Sequence, residues 1–180
     1  MVSIITVNYN GLDDTCEMID SFLLNETYPF EIIVVDNGSQ PSQAEKFRQY
    51  YAIDRQVKVV QNINNGFAGG NNAGLNVASG DYLFFINNDT LIKEPVLDAL
   101  VRRMECDPQR NGGVSPMLKF AACPDILQYA GFTPLSSLTL RNASIGFMQQ
   151  DGPRFRTPCE TASLHGAAMM VSRQALQDAG

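Results

Sequence analysis

The stretch Asp81-Tyr82-Leu83-Phe84-Phe85-Ile86-Asn87-Asn88-Asp89-Thr90 runs an apolar segment, Tyr82 to Ile86, straight into a polar cluster. A continuous apolar run is how a strand buried on both faces of a parallel sheet reads. Ligands of such sheets bind just beyond the carboxyl ends of the strands. A lone carboxylate, Asp89, flanked by amides suits a divalent cation whose remaining ligands come from a substrate's phosphates. The segment therefore predicts phosphate and metal chemistry at a strand end.

Three further runs have the same form. Val2 to Val7 ends in Asn8-Tyr9-Asn10-Gly11, Phe30 to Val35 in Asp36-Asn37-Gly38-Ser39, and Val57 to Val60 in Asn62-Ile63-Asn64-Asn65-Gly66. Between them lie helical patterns: Asp13 to Leu24, with Cys16, Ile19, Phe22 and Leu23 on one face, then Ser42 to Ala52 and Ala68 to Ala78. Strands alternating with helices predict right-handed crossovers and a parallel α/β sheet. Each polar cluster alone could be an ordinary tight turn. On one edge of a parallel sheet, all four can converge on a single crevice.

After Asp89 the pattern predicts a helix from Glu94 to Cys106 with Pro95 in its first turn, then a strand from Gly112 to Leu118. The Pro-, Gly- and Ser-rich segment 121–161 reads as loops with a short strand at Ile126 to Tyr129. A strand at Ala167 to Val171 and a helix from Arg173 follow.

The 180 residues suit one domain, here residues 1–180. A net charge of −6 without runs of like charge argues against nucleic-acid binding, and against an anionic membrane held by a basic face. Four cysteines without CxxC spacing, Cys16, Cys106, Cys123 and Cys159, read as reduced and mostly buried thiols rather than a zinc site. The opening Val2-Ser3-Ile4-Ile5-Thr6-Val7 is too short for a signal segment, and no run reaches the roughly 18 apolar residues of a membrane span. The expectation is a soluble, cytoplasmic protein.

Asp36, at a strand end, can accept a hydrogen bond from a base N–H or a ribose hydroxyl, or cap the next turn. Tyr9 can stack on a base or pack half-buried. The segment Asn65 to Gly74 gathers glycines and amides at a helix start, where anions bind; close helix–sheet packing is the duller explanation. It is neither a Walker loop nor a GxGxxG fingerprint. His165, the only histidine, reads as structural.

Val2–Asn10, Ile32–Ser39, Asn64–Gly74, Tyr82–Thr90 and Gly166–Leu176, in this order, resemble the family 2 glycosyltransferases of GT-A fold, of the bacterial rhamnosyltransferase-like and cell-surface polysaccharide type. The resemblance implies a Rossmann-like α/β/α sandwich around a mostly parallel sheet. It also implies inverting transfer of a sugar from a nucleoside-diphosphate donor (UDP- or dTDP-sugar) to an acceptor hydroxyl. Carried over by position, Tyr9 and Asn10 line the base pocket and Asp36 binds base or ribose. Asn65, Gly66, Asn71, Asn72 and Asn88 border the nucleotide, and Asp89 with Asn87 occupies the DXD position holding Mn²⁺ or Mg²⁺. The first Asp of that pattern is Asn87 here.

The implied partners are a nucleotide-sugar and a saccharide or lipid-linked saccharide acceptor, with no nucleic acid, and peripheral membrane association in a full-length protein. The family's general base follows the matched segment, and the chain reaches Asp178-Ala179-Gly180 just short of it. The expectation is thus a donor-binding portion, truncated before the base. The alternative is a catalytically incomplete nucleotide-sugar binding module. A nucleotidyltransferase is disfavoured because the loop after the first strand, Asn10 to Asp14, is acidic.

Overall fold

The computed structural model describes residues 1–51, 54–107 and 111–179. The strands are β1 (Val2–Asn8), β2 (Phe30–Asn37), β3 (Val57–Asn62), β4 (Tyr82–Ile86), β5 (Gly113–Val114), β6 (Leu118–Phe120), β7 (Cys123–Tyr129) and β8 (Ala168–Ser172). Six of them form one sheet in the order β3-β2-β1-β4-β8-β5, and β6 pairs with β7 in a separate two-stranded sheet. β1 to β4 are mutually parallel, and β8 runs antiparallel to both β4 and β5.

The central strands are apolar on both faces because helices cover both. On one side α1 (Leu12–Asn25), α2 (Pro41–Tyr51) and α4 (Leu97–Cys106) bring Met18, Ile19, Phe22, Phe47, Leu97, Val101 and Met104 onto Ile4, Ile32, Val34, Phe84 and Met170. On the other, α3 (Gly66–Leu75) and α5 (Arg173–Ala179) set Ala73, Leu75 and Leu176 against Ile5, Ile33, Val35, Leu83 and Phe85. Two glycines let α3 lie close: a Cβ on Gly70 would sit 2.9 Å from Val7, and one on Gly74 would sit 2.6 Å from Ile5. Close packing is thus the work of the later glycines in the Asn65–Gly74 segment.

The amino-terminal edge of the sheet is tied by Glu31. Its carboxylate accepts from Ser3 Oγ, from the Ser79 amide and hydroxyl, each at 2.7 Å, and from Lys58 Nζ. Burial opposes ionisation of Glu31, but these donors outweigh it and its pKa falls to about 2.

Several boundaries differ from the sequence reading. The strand expected over Gly112 to Leu118 divides into β5 and β6 around Ser115-Pro116, because proline cannot donate to a ladder. The helix expected from Glu94 begins at Leu97, so Pro95 precedes it. Its first amides are capped from afar: Glu26 Oε2 accepts Val96 N and Leu97 N, both at 2.9 Å. The helix expected over Ala68 to Ala78 spans Gly66 to Leu75, and the short strand expected at Ile126 begins at Cys123. Ala52, the expected end of α2, and Gly180 lie outside the described residues. Cys106, Cys123 and Cys159 are exposed and Cys16 is half-buried, correcting the expectation of mostly buried thiols. The exposed three sit at a helix end or in the loop-rich second half, where little covers them.

Candidate donor-binding crevice

β1 is flanked by β2 on one side and β4 on the other, so the chain's direction of travel through the sheet reverses there. Open α/β sheets bind ligands outside the carboxyl ends of the strands at such a switch point. The four polar clusters do emerge on this one edge, with Asn8 in register with Asp36, and Asp36 and Asn37 with Gln61 and Asn62.

Asn8 organises the first two clusters. Fully buried, it donates from Nδ2 to Asp36 Oδ1 at 3.3 Å and to Ser39 Oγ at 3.1 Å. Its Oδ1 accepts from Gly11 N at 3.1 Å and Thr15 Oγ1 at 3.0 Å. Asn10, in the left-handed region at φ 56°, donates its N–H to Ser39 Oγ and accepts Gln40 N at 2.9 Å. These bonds close the β1 and β2 loops against each other.

Asp36 is 1% exposed, and its Oδ2 is buried without a hydrogen-bond partner among the described residues. Buried polar atoms are nearly always paired, so this oxygen marks the crevice. Tyr9, next to Asn8 in sequence, is 58% exposed rather than packed. A hollow of about 300 Å³ next to Asn10 is lined by Asp13, Asp14, Gln43 and Lys46.

The third cluster is an amide lattice. Asn62 Nδ2 donates to Asn37 Oδ1 at 2.8 Å and to Asn65 Oδ1 at 2.9 Å, and Asn37 Nδ2 donates to the Gly66 carbonyl at 3.2 Å. Asn65 and Gly66 thereby reach the edge beside β2, with Gly66 at φ +84° and open space where a Cβ would stand. Asn71 and Asn72 lie one turn further along α3. Asn71 Nδ2 bonds back to the Phe67 carbonyl, and Asn72 is exposed.

In the fourth cluster Asn88 Nδ2 donates to Thr15 Oγ1 at 3.0 Å, fastening the turn after β4 to α1. Asn87 N donates to the Ala167 carbonyl at 2.9 Å, fastening it to β8. Asp89 is exposed, and no described residue hydrogen-bonds or ion-pairs with it. It does not cap α4. Among the described residues no three His, Cys, Asp or Glu side chains group as a metal cage. One free carboxylate among amides fits a cation only where phosphate oxygens complete the shell, and Asp89 with Asn87 would hold it.

Asn8, Thr15, Ser39 and Asn62 hold the crevice together and went unread as site residues. The signal available was their place inside or beside the strand-end clusters. His165 is packed against Tyr129 and Phe132. Its Nδ1 accepts Ala167 N at 3.2 Å, its ring stacks on Phe132 at 5.9 Å and 9°, and burial lowers its pKa. A larger cavity of about 680 Å³ lies between α4, β5, β7 and the segment 155–164, lined by Arg103, Tyr129, Arg156 and Thr161 among others.

The profile of glycosyl transferase family 2 matches residues 3–180, and the chain belongs to that family. It is 30% identical over 143 residues to the glycosyltransferase TuaG of Bacillus subtilis (strain 168), covering 72% of this chain and 55% of that protein. Its fold is GT-A. It superimposes on the mannosyltransferase PcManGT from Pyrobaculum calidifontis, in complex with GDP-Man and Mn²⁺, with TM-score 0.61 and 21% identity over 99% of this chain and 46% of the other. S. aureus TarS 1-349 in complex with UDP-GlcNAc gives TM-score 0.54 and 24% identity over 66% and 34%. The chain spans from 15% to 55% of the first curated relatives it matches.

Proposed function

We propose that the protein serves inverting glycosyl transfer from a nucleoside-diphosphate sugar, UDP- or dTDP-linked, to an acceptor hydroxyl on a saccharide or lipid-linked saccharide in cell-surface polysaccharide synthesis. The observation that carries this reading is Asp36, a buried carboxylate with one oxygen unpartnered at the switch-point edge. A base N–H or ribose hydroxyl supplies the missing donor. Tyr9 offers its exposed ring to the base, and the Asn65–Gly66 turn offers close backbone approach. The names of similar proteins agree: TuaG is named for teichuronic acid biosynthesis, and the two solved structures hold UDP-GlcNAc or GDP-Man with Mn²⁺.

At the other lip of the crevice, Asp89 and Asn87 would hold Mn²⁺ or Mg²⁺. The metal, when bound, offsets charge on the departing diphosphate. Asn88 keeps the turn pinned to Thr15. An inverting displacement also requires a carboxylate base for the acceptor proton.

The test is calorimetric titration of UDP, dTDP and GDP with and without Mn²⁺, followed by product analysis with sugar donors. Binding of one or two nucleotides, strengthened by Mn²⁺, supports the reading. Absence of binding by all three overturns it. Binding without transfer in the full-length protein would instead make it a nucleotide-sugar binding module.

A further inference from the structure

We propose that the turn Leu135–Arg141, at the tip of the arm following β7, inserts into a lipid surface. The arm is a β-like excursion whose return path, residues 143–150, pairs back on β7: Ala130 N donates to Ile145 O at 2.9 Å and Leu127 N to Gln149 O at 2.8 Å. Its root carries Tyr129 and Phe132, which pack on His165 two residues before the Ala167 carbonyl that receives Asn87. The arm therefore projects from beside the proposed metal-binding turn.

At the tip, three leucines face solvent: Leu135 is 61% exposed, Leu138 91% and Leu140 75%. Phe147 and Met148 follow on the return path, also exposed. A soluble loop tip ordinarily carries small polar residues. Charge points the same way. The protein has a net charge of −6, yet residues 126–150 contain no Asp or Glu and one cation, Arg141.

Four of the turn's amides are satisfied within the turn itself. Ser136 N donates to Arg141 O and Leu140 N to Ser136 O, both at 2.9 Å. Ser136 Oγ accepts Leu138 N at 3.3 Å and Thr139 N at 3.2 Å. Amides satisfied inside the loop need no water when the tip enters an interface. The apolar tip alone is small for a stable protein–protein interface. Three leucines offer at most a few hundred Å², against about 800 Å² per side in a stable complex. Binding at a lipid interface grows with the apolar area buried and with attraction of cations to anionic headgroups. The inference stands independently of the donor site.

The protein has no tryptophan, so Leu138→Trp introduces a single reporter. With vesicles of mixed phosphatidylcholine and phosphatidylglycerol, its emission should shift to the blue and be quenched by brominated acyl chains. Leu24→Trp, exposed on α1, should do neither. In co-sedimentation, Leu138→Asp combined with Leu140→Asp should weaken vesicle binding at least tenfold with an unchanged melting temperature. An unshifted Leu138→Trp, equal responses from both reporters, or equal sedimentation of the charged variant would overturn the proposal. So would a lipid-independent blue shift on raising protein concentration, which would assign the tip to a second copy of the chain.

Discussion

Asn8 Nδ2 donates to Asp36 Oδ1 across the β1–β2 boundary at 3.3 Å, and the other Asp36 oxygen is left buried and unpaired. One half of the carboxylate is thus engaged by the fold, and the other half is the oxygen proposed to meet a nucleotide. Asp36→Ala should weaken UDP or dTDP binding by about 1.5–3 kcal/mol, the worth of a hydrogen bond to a charged group. Asn8 retains Ser39 as a partner, so the variant should still fold. Calorimetry with the preferred nucleotide measures the loss, and an unchanged affinity would remove Asp36 from the site.

Among the described residues Asp89 has no hydrogen-bond or ion-pair partner, and it is exposed. Asp89→Ala should shift stability by no more than about 0.5 kcal/mol. The same change should abolish the strengthening of nucleotide binding by Mn²⁺. Titrations of both proteins with and without the metal decide the point; a surviving Mn²⁺ effect would place the cation elsewhere.

Gly74→Ala would place a methyl group 2.6 Å from Ile5 and 3.1 Å from Val35, on the helix face that rests on the sheet. Overpacking costs about 1–3 kcal/mol, against roughly 1 kcal/mol gained in helix propensity. A lower melting temperature is expected, with weaker nucleotide binding because the Asn65–Gly66 turn moves with α3. A more stable variant would refute the packing argument.

Glu26 holds two chain segments at once. Its Oε1 accepts Thr27 N and Tyr28 N, while Oε2 accepts Val96 N and Leu97 N. Burial disfavours its charge, but these four amides outweigh that and lower its pKa. Glu26→Gln keeps only one oxygen, so amides are orphaned at either the α4 start or the β2 approach. A loss of about 1–3 kcal/mol in chemical denaturation is expected. A loss below about 0.5 kcal/mol, the ordinary range of a surface change, would show that the cap is dispensable.

Glu31 sets an acid limit on stability. Its folded pKa is depressed from 4.5 to about 2, so its contribution is complete above pH 4.5 and disappears as the pH falls toward 2. Glu31→Gln should flatten the stability profile across that window and leave its slope at higher pH unchanged. The difference between the two proteins should be larger at pH 7 than near pH 2. Parallel profiles across the acid range would show that other carboxylates govern acid unfolding.

The apolar runs and their polar endings were enough to read four parallel strands, the helices between them and the common edge where the clusters meet. Burial on both faces forces unbroken apolar sequence, and turn chemistry forces Asn, Asp and Gly at the ends, so both leave marks at single positions. The second half left weaker marks. β5 is two residues long and β6 three, too short for a period to declare itself, and their pairing depends on partners far along the chain. Glu26 as the cap of α4 was equally hidden, since its partners lie about 70 residues away.

Within the crevice, residue types alone named Asp36 and Asp89 but could not distinguish them. Tertiary structure buried one with an oxygen unpaired and left the other in solvent. The glycines of Asn65–Gly74 divide in the same way: Gly66 faces open space, while Gly70 and Gly74 press on the sheet. Which atoms are covered depends on how a helix settles on a sheet, through side chains distant in sequence. Local pattern determined the elements and the edge they share; packing decided which polar atoms at that edge remain free to meet a ligand.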